Sequence, residues 1–454
     1  MRNVAVIGGG GLRTPLLIHG IAQAQSTLQI GELRLYDLDP ARAEIMAGLG
    51  REIARSLGAG IRITTRSTVA DAVDGAEFVL SSLRVGGMAA RARDERMSVE
   101  HGLAGQETTG PGGLAMALRT VPVALEHARV IEEVAPHAWY INFTNPAGLI
   151  TQALTQHTNL KVIGICDTPA ELFHRIAAAL SEPPERVFCD YAGLNHLGWV
   201  RRVLVGDRDV TGEILGNEQI VRSLYSADLF DPALIRTLGL LPTEYLFFYY
   251  SQRKAYRNQL KAGATRGAEL ERMNAALFAG MENQDAPTAL VTYRDYLMRR
   301  NASYMKLEGE AGSAFPSNAS RAEPEDPFTL ATGYHRIAVQ VMTGLVSQDP
   351  GTVVVNVPNH GAIEDLEPDD VVEVPCRIDS DGPTPLKTGR LPDSVRGLIL
   401  SVKAYERTAI RAAIARSGEL AQLAMLECPI IGQWEMAKEL REALGKSDPG
   451  LFET

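Results

Sequence analysis

The sequence predicts an α/β fold: an N-terminal, Rossmann-like, doubly wound parallel sheet followed by a C-terminal α+β domain for substrate and oligomerisation. Three observations carry that expectation. A continuous apolar strand pattern at the N-terminus runs into four glycines, Gly8 to Gly11, and then into an apolar helix. Strand and helix patterns alternate over the first 195 residues, which implies parallel strands joined by crossover helices. The second strand, Leu33 to Asp37, ends on an acid at the place where dinucleotide folds carry a ribose-binding carboxylate.

Strands are expected at about 3–8, 33–37, 61–66, 77–83, 139–144 and 161–166, with helices at about 41–57, 115–135, 147–158 and 169–180. A turn that brings backbone N–H groups up to a pyrophosphate has no room for Cβ atoms, so Gly8, Gly9, Gly10 and Gly11 are the expected cofactor contacts. Arg13 stands where the third glycine of the usual fingerprint would fall. Asp37 would accept from ribose hydroxyls and repel a 2′-phosphate, favouring NAD over NADP; its other reading is a helix cap before Pro40. Active-site groups of such sheets gather at strand C-termini. Here those ends offer Arg84, Asn142 to Asn145, and Cys166-Asp167.

Past residue 200 the alternation breaks. A hairpin is expected over Val203 to Leu215 around Gly206-Asp207, helix over 234–280, strands at Val353–Asn356 and Val371–Ile378, and one or two long helices over Ser394–Met425. Residues 305–328 mix glycine, proline, serine and acids as a mobile loop or lid does. At 454 residues the chain suits two domains, taken as 1–195 and 196–454. A net charge of −10 argues against nucleic acid as a partner. No apolar run nears the length of a membrane span, the first apolar segment is a strand rather than a leader, and four irregularly spaced cysteines suit free thiols in the cytoplasm.

Five segments carry possible chemistry. Asn142-Phe-Thr-Asn-Pro146 follows a strand and suits either contact with the nicotinamide ribose and substrate or a plain helix cap. Cys166 and His196 could share one divalent metal with positions left open for substrate oxygens, or be a buried thiol and a core imidazole. Asp167 reads as a general acid or as a cap before Pro169. Gly102 to Leu118, with Gln106, Glu107 and Thr108 at its centre, is a loop able to wrap a polyhydroxylated ligand, or a ligand-free surface loop. The run Tyr245 to Tyr250 is core by default; a tyrosine there becomes a base only beside a cation or metal.

In this order the motifs resemble glycoside hydrolase family 4, the NAD- and Mn-dependent glycosidases, especially the 6-phospho-glycosidase branch. The matching stretches are Val6–Gly10, Arg84–Met88 with Arg91 to Arg96, Gly105–Gly113, Ile141–Gly148, Gly164–Asp167, Ala192–His196 and Asn356–Ile363. The resemblance implies that Cys166 and His196 bind Mn²⁺ and that Tyr245 is the base. It places Arg84, Asn142 and Asn145 at the cofactor, and Arg13, Arg91, Gln106, Glu107, Asn145 and Asn195 at the sugar. The implied chemistry is oxidation at C3 by NAD⁺, removal of the C2 proton by Tyr245, loss of the aglycone from C1 assisted by Asp167, addition of water, and return of hydride.

The chain also departs from the branch. Phospho-β-glucosidases usually read Cys-Asn where this chain has Cys166-Asp167, as the α-specific enzymes do. Their Ser-Ser-Tyr-Thr-Pro is here Gly11-Leu12-Arg13-Thr14-Pro15, and Asn-Thr-Arg-Asn-Asn-Gly is Asn356-Val-Pro-Asn-His-Gly361, which loses an arginine. Either Arg13 replaces that charge at a 6-phosphate or the phosphate site is gone. The expected activity is therefore a 6-phospho-β-glucosidase. A member acting on 6-phospho-α- or unphosphorylated glycosides is the alternative within the family. Outside it stand a net NAD-dependent sugar or hydroxy-acid oxidoreductase and a nucleotide-binding regulator. A homodimer or homotetramer is expected.

Overall fold

The computed structural model describes residues 1–225, 229–304, 326–330, 332–347 and 351–453. Six parallel strands form its first half: β1 (Arg2–Ile7), β2 (Ile30–Tyr36), β3 (Arg62–Arg66), β4 (Phe78–Ser81), β5 (Trp139–Asn142) and β6 (Lys161–Gly164). Their spatial order is 3-2-1-4-5-6, the dinucleotide-binding order, with the switch point between β1 and β4. Val4 to Ile7 and Phe78 to Ser81 are all buried, because helices cover both faces; that is why these strands read as unbroken apolar runs.

The sheet continues with antiparallel strands: β7 (Val187–Leu194), β8 (Leu197–Val205), β9 (Arg208–Asp209), β10 (Leu241–Pro242), β11 (Gly351–Pro358), β12 (Val371–Asp379) and β13 (Gly382–Pro385). β11 pairs with β6, β12 with β11, and β7 with β12, so late strands extend the early sheet directly. Residue 195 lies in the two-residue turn between β7 and β8.

Several expected elements differ. The helix anticipated from 115 starts at Gly110 and runs to Val134, so the glycine-rich stretch is half loop and half helix. A Cβ on Gly112 would sit 2.2 Å from the carbonyl oxygen of Gln106, so its glycine serves close backbone approach within the first helical turn. A helix at Gly87–Glu100 has no counterpart among the expected elements; it buries Arg91, Asp94, Glu95 and Ser98 together with Ala90, Ala92 and Met97, so no clean apolar stripe marks it. The hairpin past residue 200 is the short β8–β9 pair, and residues 211–216 are helical. The helical stretch 234–280 is interrupted by β10 and by a short turn carrying Tyr245. Ser394–Met425 resolves into two helices, Asp393–Ala415 and Gly418–Glu427. Of the expected lid, 305–325 lies outside the described residues. No helix among the described residues is long and apolar enough to cross a membrane.

Candidate active site

The glycine turn leaves β1 at the switch point. Gly8 has φ +85°, and a Cβ there would stand 2.3 Å from the Ser82 carbonyl oxygen at the end of β4. Gly8 and Gly9 donate to the Tyr36 carbonyl, and Gly10 donates to Asp37 Oδ2 at 2.9 Å. The Pro40–Ser56 helix is capped by Asp39, whose side chain accepts from the Arg42 N–H, so the cap reading does not apply to Asp37. A half-buried carboxylate thus stands beside a Cβ-free turn at the switch point, which fits a dinucleotide.

Asn142 spends its amide within the next strand end, donating to Thr151 Oγ1 and accepting from the Thr144 N–H. Asn145, before a cis bond to Pro146, does not cap the helix that follows: Pro146 holds the cap position, and Asn145 Oδ1 is buried without a partner among the described residues.

Glu107 binds the guanidinium groups of Arg84 at 2.7 Å and Arg91 at 2.8 Å. Burial works against its charge, but Arg84, Arg91 and Arg13 hold its carboxyl down at about 2. Arg91 in turn pairs with fully buried Glu95 at 2.7 Å. The charged inner face of the Gly87–Glu100 helix is therefore one side of the site.

His196 occupies the β7–β8 turn with φ +61°, a region non-glycine residues seldom adopt. Its Nδ1 lies 2.9 Å from Thr108 Oγ1. The Thr108 hydroxyl donates to Gln106 Oε1 at 2.8 Å, and that amide oxygen also accepts the Thr109 N–H at 2.9 Å. With the hydroxyl hydrogen committed, Thr108 can only accept from Nδ1–H. Nε2 is then the nitrogen with the free lone pair, and it is buried with no partner among the described residues. Burial, partly opposed by Glu107, lowers the His196 pKa to about 4, so the ring is neutral.

Tyr245 stacks on that ring, centroids 3.7 Å apart and planes 2° from parallel. Leu246, Phe247 and Phe248 behind it are core, as their composition suggested, while Tyr245 itself faces the site. Burial first, then Glu107, Glu244 and, at the end, Cys166 push its phenol well above its ordinary value, which places Cys166 within its electrostatic reach. Cys166 is buried and donates to Thr168 Oγ1 at 3.4 Å; burial, Glu373 and Asp167 raise its thiol.

A thiol that becomes a thiolate on binding and an imidazole with its lone pair freed fit one borderline divalent metal. Among the described residues no group of three or more His, Cys, Asp or Glu is placed to hold a metal.

Arg13 lies over the Tyr334 ring, 3.8 Å from its centroid. Burial opposes its charge, yet Tyr334, Asp167 and Glu107 hold the guanidinium fully protonated. Asp167 is raised by burial and pulled back by Arg13. Glu171, one helical turn on, is raised to about 8 by burial, Asp167 and Glu244. Glu244 accepts from Tyr304 at 2.5 Å and Arg175 at 3.3 Å. The motifs did not single out Tyr334, Glu171, Glu244 or Glu373. Glu373 had a visible signal, a lone acid within the apolar run Val371-Val-Glu-Val-Pro-Cys376.

Residues 3–182 match the family described as Family 4 glycosyl hydrolase, and residues 191–431 match its C-terminal domain. The chain is 31% identical over 450 residues to a probable 6-phospho-beta-glucosidase of Bacillus subtilis, covering 97% of this chain and 95% of that one. It is similar to the solved 6-phospho-beta glucosidase of Thermotoga maritima with manganese, NAD+ and glucose-6-phosphate, at TM-score 0.82 and 28% identity, each chain covered fully. A 6-phospho-alpha-glucosidase from gut microorganisms with NAD and glucose-6-phosphate matches at TM-score 0.81 and 26% identity, covering 100% of this chain and 99% of the other.

Proposed function

The chain belongs to family 4 of the glycosyl hydrolases, and from that premise we propose that it hydrolyses 6-phospho-β-glucosides with NAD and Mn²⁺. One observation supports this most: Tyr245 lies face to face on His196, whose Nε2 is buried and free. When bound, the two groups supply what side chains lack, a hydride acceptor for C3 and a divalent charge that acidifies the adjacent C–H.

The remaining steps fall to this chain's residues. Cys166 and His196 hold the metal. Tyr245 takes the C2 proton on its phenolate oxygen, which then returns it when water adds. Asp167 gives a proton to the departing oxygen at C1. The Glu107–Arg84–Arg91 cluster fixes the loop that carries Thr108. Gly8 to Gly11 and Asp37 hold NAD together with Arg84 and Asn145, whereas Asn142, fully buried with its amide spent inside the fold, only shapes the strand end; Gln106, Glu107, Arg91, Asn145 and Asn195 contact the sugar, and Arg13 takes its 6-phosphate. Identity to β-specific relatives favours the β anomer. Four buried, unpaired cysteines suit a reducing cytoplasm, and we propose a homodimer or homotetramer there.

The deciding assay compares nitrophenyl β-glucoside with and without a 6-phosphate. Nitrophenol release that needs the phosphate, NAD⁺ and Mn²⁺, and that slows with deuterium at C2 or C3, is expected. Activity surviving chelation and cofactor stripping, or NADH accumulating in step with substrate consumed, would refute the proposal.

A further inference from the structure

We infer that Glu373 is the positioning residue of this metal site, tying the turn that presents His196 to the strand end that presents Cys166. The inference rests on the reading of those two residues as the ligands. Glu373 lies on β12 and is 1% exposed. It accepts three side-chain hydrogen bonds: from Tyr191 Oη at 2.7 Å, from Asn195 Nδ2 at 3.0 Å and from Asn356 Nδ2 at 3.0 Å.

Those partners come from both sides of a thin seam. β12 meets β7 at the pair Glu373 and Gly193, and β11 meets β6 at the pair Asn356 and Gly164. Each junction is one register pair among the described residues, against eight between β11 and β12. Gly164 lies two residues before Cys166, and Asn195 immediately precedes His196. Backbone pairing alone therefore couples the two ligands weakly. The carboxylate adds the missing link, with its Oε1 accepting from Asn195 and Asn356 together.

The surroundings are cut to fit this network. A Cβ on Gly198 would sit 1.9 Å from Tyr191 Oη, and one on Gly164 would sit 2.8 Å from Asn356 Cβ. A valine at 373 would continue the apolar strand without burying a charge, so the acid is there to accept from its three donors. The His196 turn needs such support, since its left-handed backbone persists only where the surroundings over-determine it.

The test is direct titration of Mn²⁺ into the full chain, followed by the electron paramagnetic resonance of free Mn²⁺, with NAD affinity measured in parallel. Glu373→Ala should weaken Mn²⁺ binding by about 10- to 100-fold and leave NAD affinity within about threefold. Glu373→Gln should bind Mn²⁺ at least as tightly as wild type, because its amide oxygen can still accept from both asparagines while its NH₂ donates to the Tyr191 oxygen. Should Glu373→Ala fail to fold, Asn195→Ala frees the turn alone and should show at least about a tenfold loss.

Wild-type Mn²⁺ affinity in the alanine variants, where Cys166→Ser loses it, overturns the inference alone. Equal losses of Mn²⁺ and NAD, or a glutamine variant as weak as the alanine one, overturn it too. Unchanged Mn²⁺ affinity in Cys166→Ser overturns the metal reading beneath it.

Discussion

The phenol ring of Tyr245 and the imidazole of His196 lie 3.7 Å apart and nearly parallel, so the proposed base and the proposed ligand share one packed unit. Burial and nearby acids raise the phenol, and a cation at His196 Nε2 would act in the opposite sense. The stack keeps the hydroxyl oriented whether or not it titrates.

Tyr245→Phe keeps the ring and removes only the oxygen. Its kcat should fall by about 10²- to 10⁴-fold, with Mn²⁺ and NAD affinities held within about twofold. Solvent deuterium should stop washing into C2 of the recovered sugar. Continued exchange in this variant would place the base elsewhere.

The chain Gln106 to Thr108 to His196 makes a separate prediction. Thr108→Val keeps the shape but leaves Nδ1–H and the Gln106 oxygen without the hydroxyl. Mn²⁺ affinity should drop by about 10- to 100-fold, and stability by about 1–3 kcal/mol from the buried Nδ1–H left unpaired, since the Gln106 oxygen keeps the Thr109 N–H. Thr108→Ser should restore both. A valine variant that binds Mn²⁺ normally would mean that the hydroxyl does not set the tautomer.

Metal binding should carry a defined proton count. The Cys166 thiol is raised by burial, Glu373 and Asp167, so it is protonated at neutral pH and must lose its proton to become a ligand. His196, lowered to about 4, is already neutral above about pH 5 and releases none. Mn²⁺ affinity should therefore climb about tenfold per pH unit from 5.5 to 8, with a second proton entering only as pH falls toward 4. Calorimetry in buffers of different ionisation enthalpy should return one proton released per metal, and none in Cys166→Ser. The same histidine affects stability. Its folded value lies below the unfolded 6.5, so its contribution is complete above pH 6.5 and is lost as pH falls toward 4, about 3 kcal/mol in all.

The parallel half of the fold was legible because β1 and β4 are covered on both faces and followed by glycine or polar turns. The Gly87–Glu100 helix was not, because the pattern that marks a helix is an apolar stripe and this one buries Arg91, Asp94, Glu95 and Ser98 among its apolar positions. The glycines of 110–113 read as loop because composition does not separate flexible glycine from glycine needed for close backbone contact. Only the resemblance singles out Cys166, His196 and Tyr245 for chemistry; spacing alone left a thiol and an imidazole 30 residues apart as ordinary core. What sequence could not convey is the partner of each: Thr108 for His196, Tyr334 for Arg13, and three donors for Glu373.

Asp167 gives the last prediction, because it stands where the β-specific branch usually has asparagine. It occupies the cap position of the Thr168–Ala179 helix yet makes no capping hydrogen bond, so its carboxyl is free for other work. Burial raises its pKa and the Arg13 guanidinium restrains the rise, so the site shifts the carboxyl toward the protonated form that a general acid needs. Nitrophenolate leaves without protonation, whereas an alkoxide or sugar oxygen does not. Asp167→Asn should therefore keep nitrophenyl substrates within about threefold, while alkyl and disaccharide 6-phosphates slow by about 10²- to 10⁴-fold. The high-pH limb of kcat/KM for alkyl substrates should vanish with it. An equal loss on both leaving groups would make Asp167 a residue that places Arg13 and the sugar, and the proton would have to come from elsewhere.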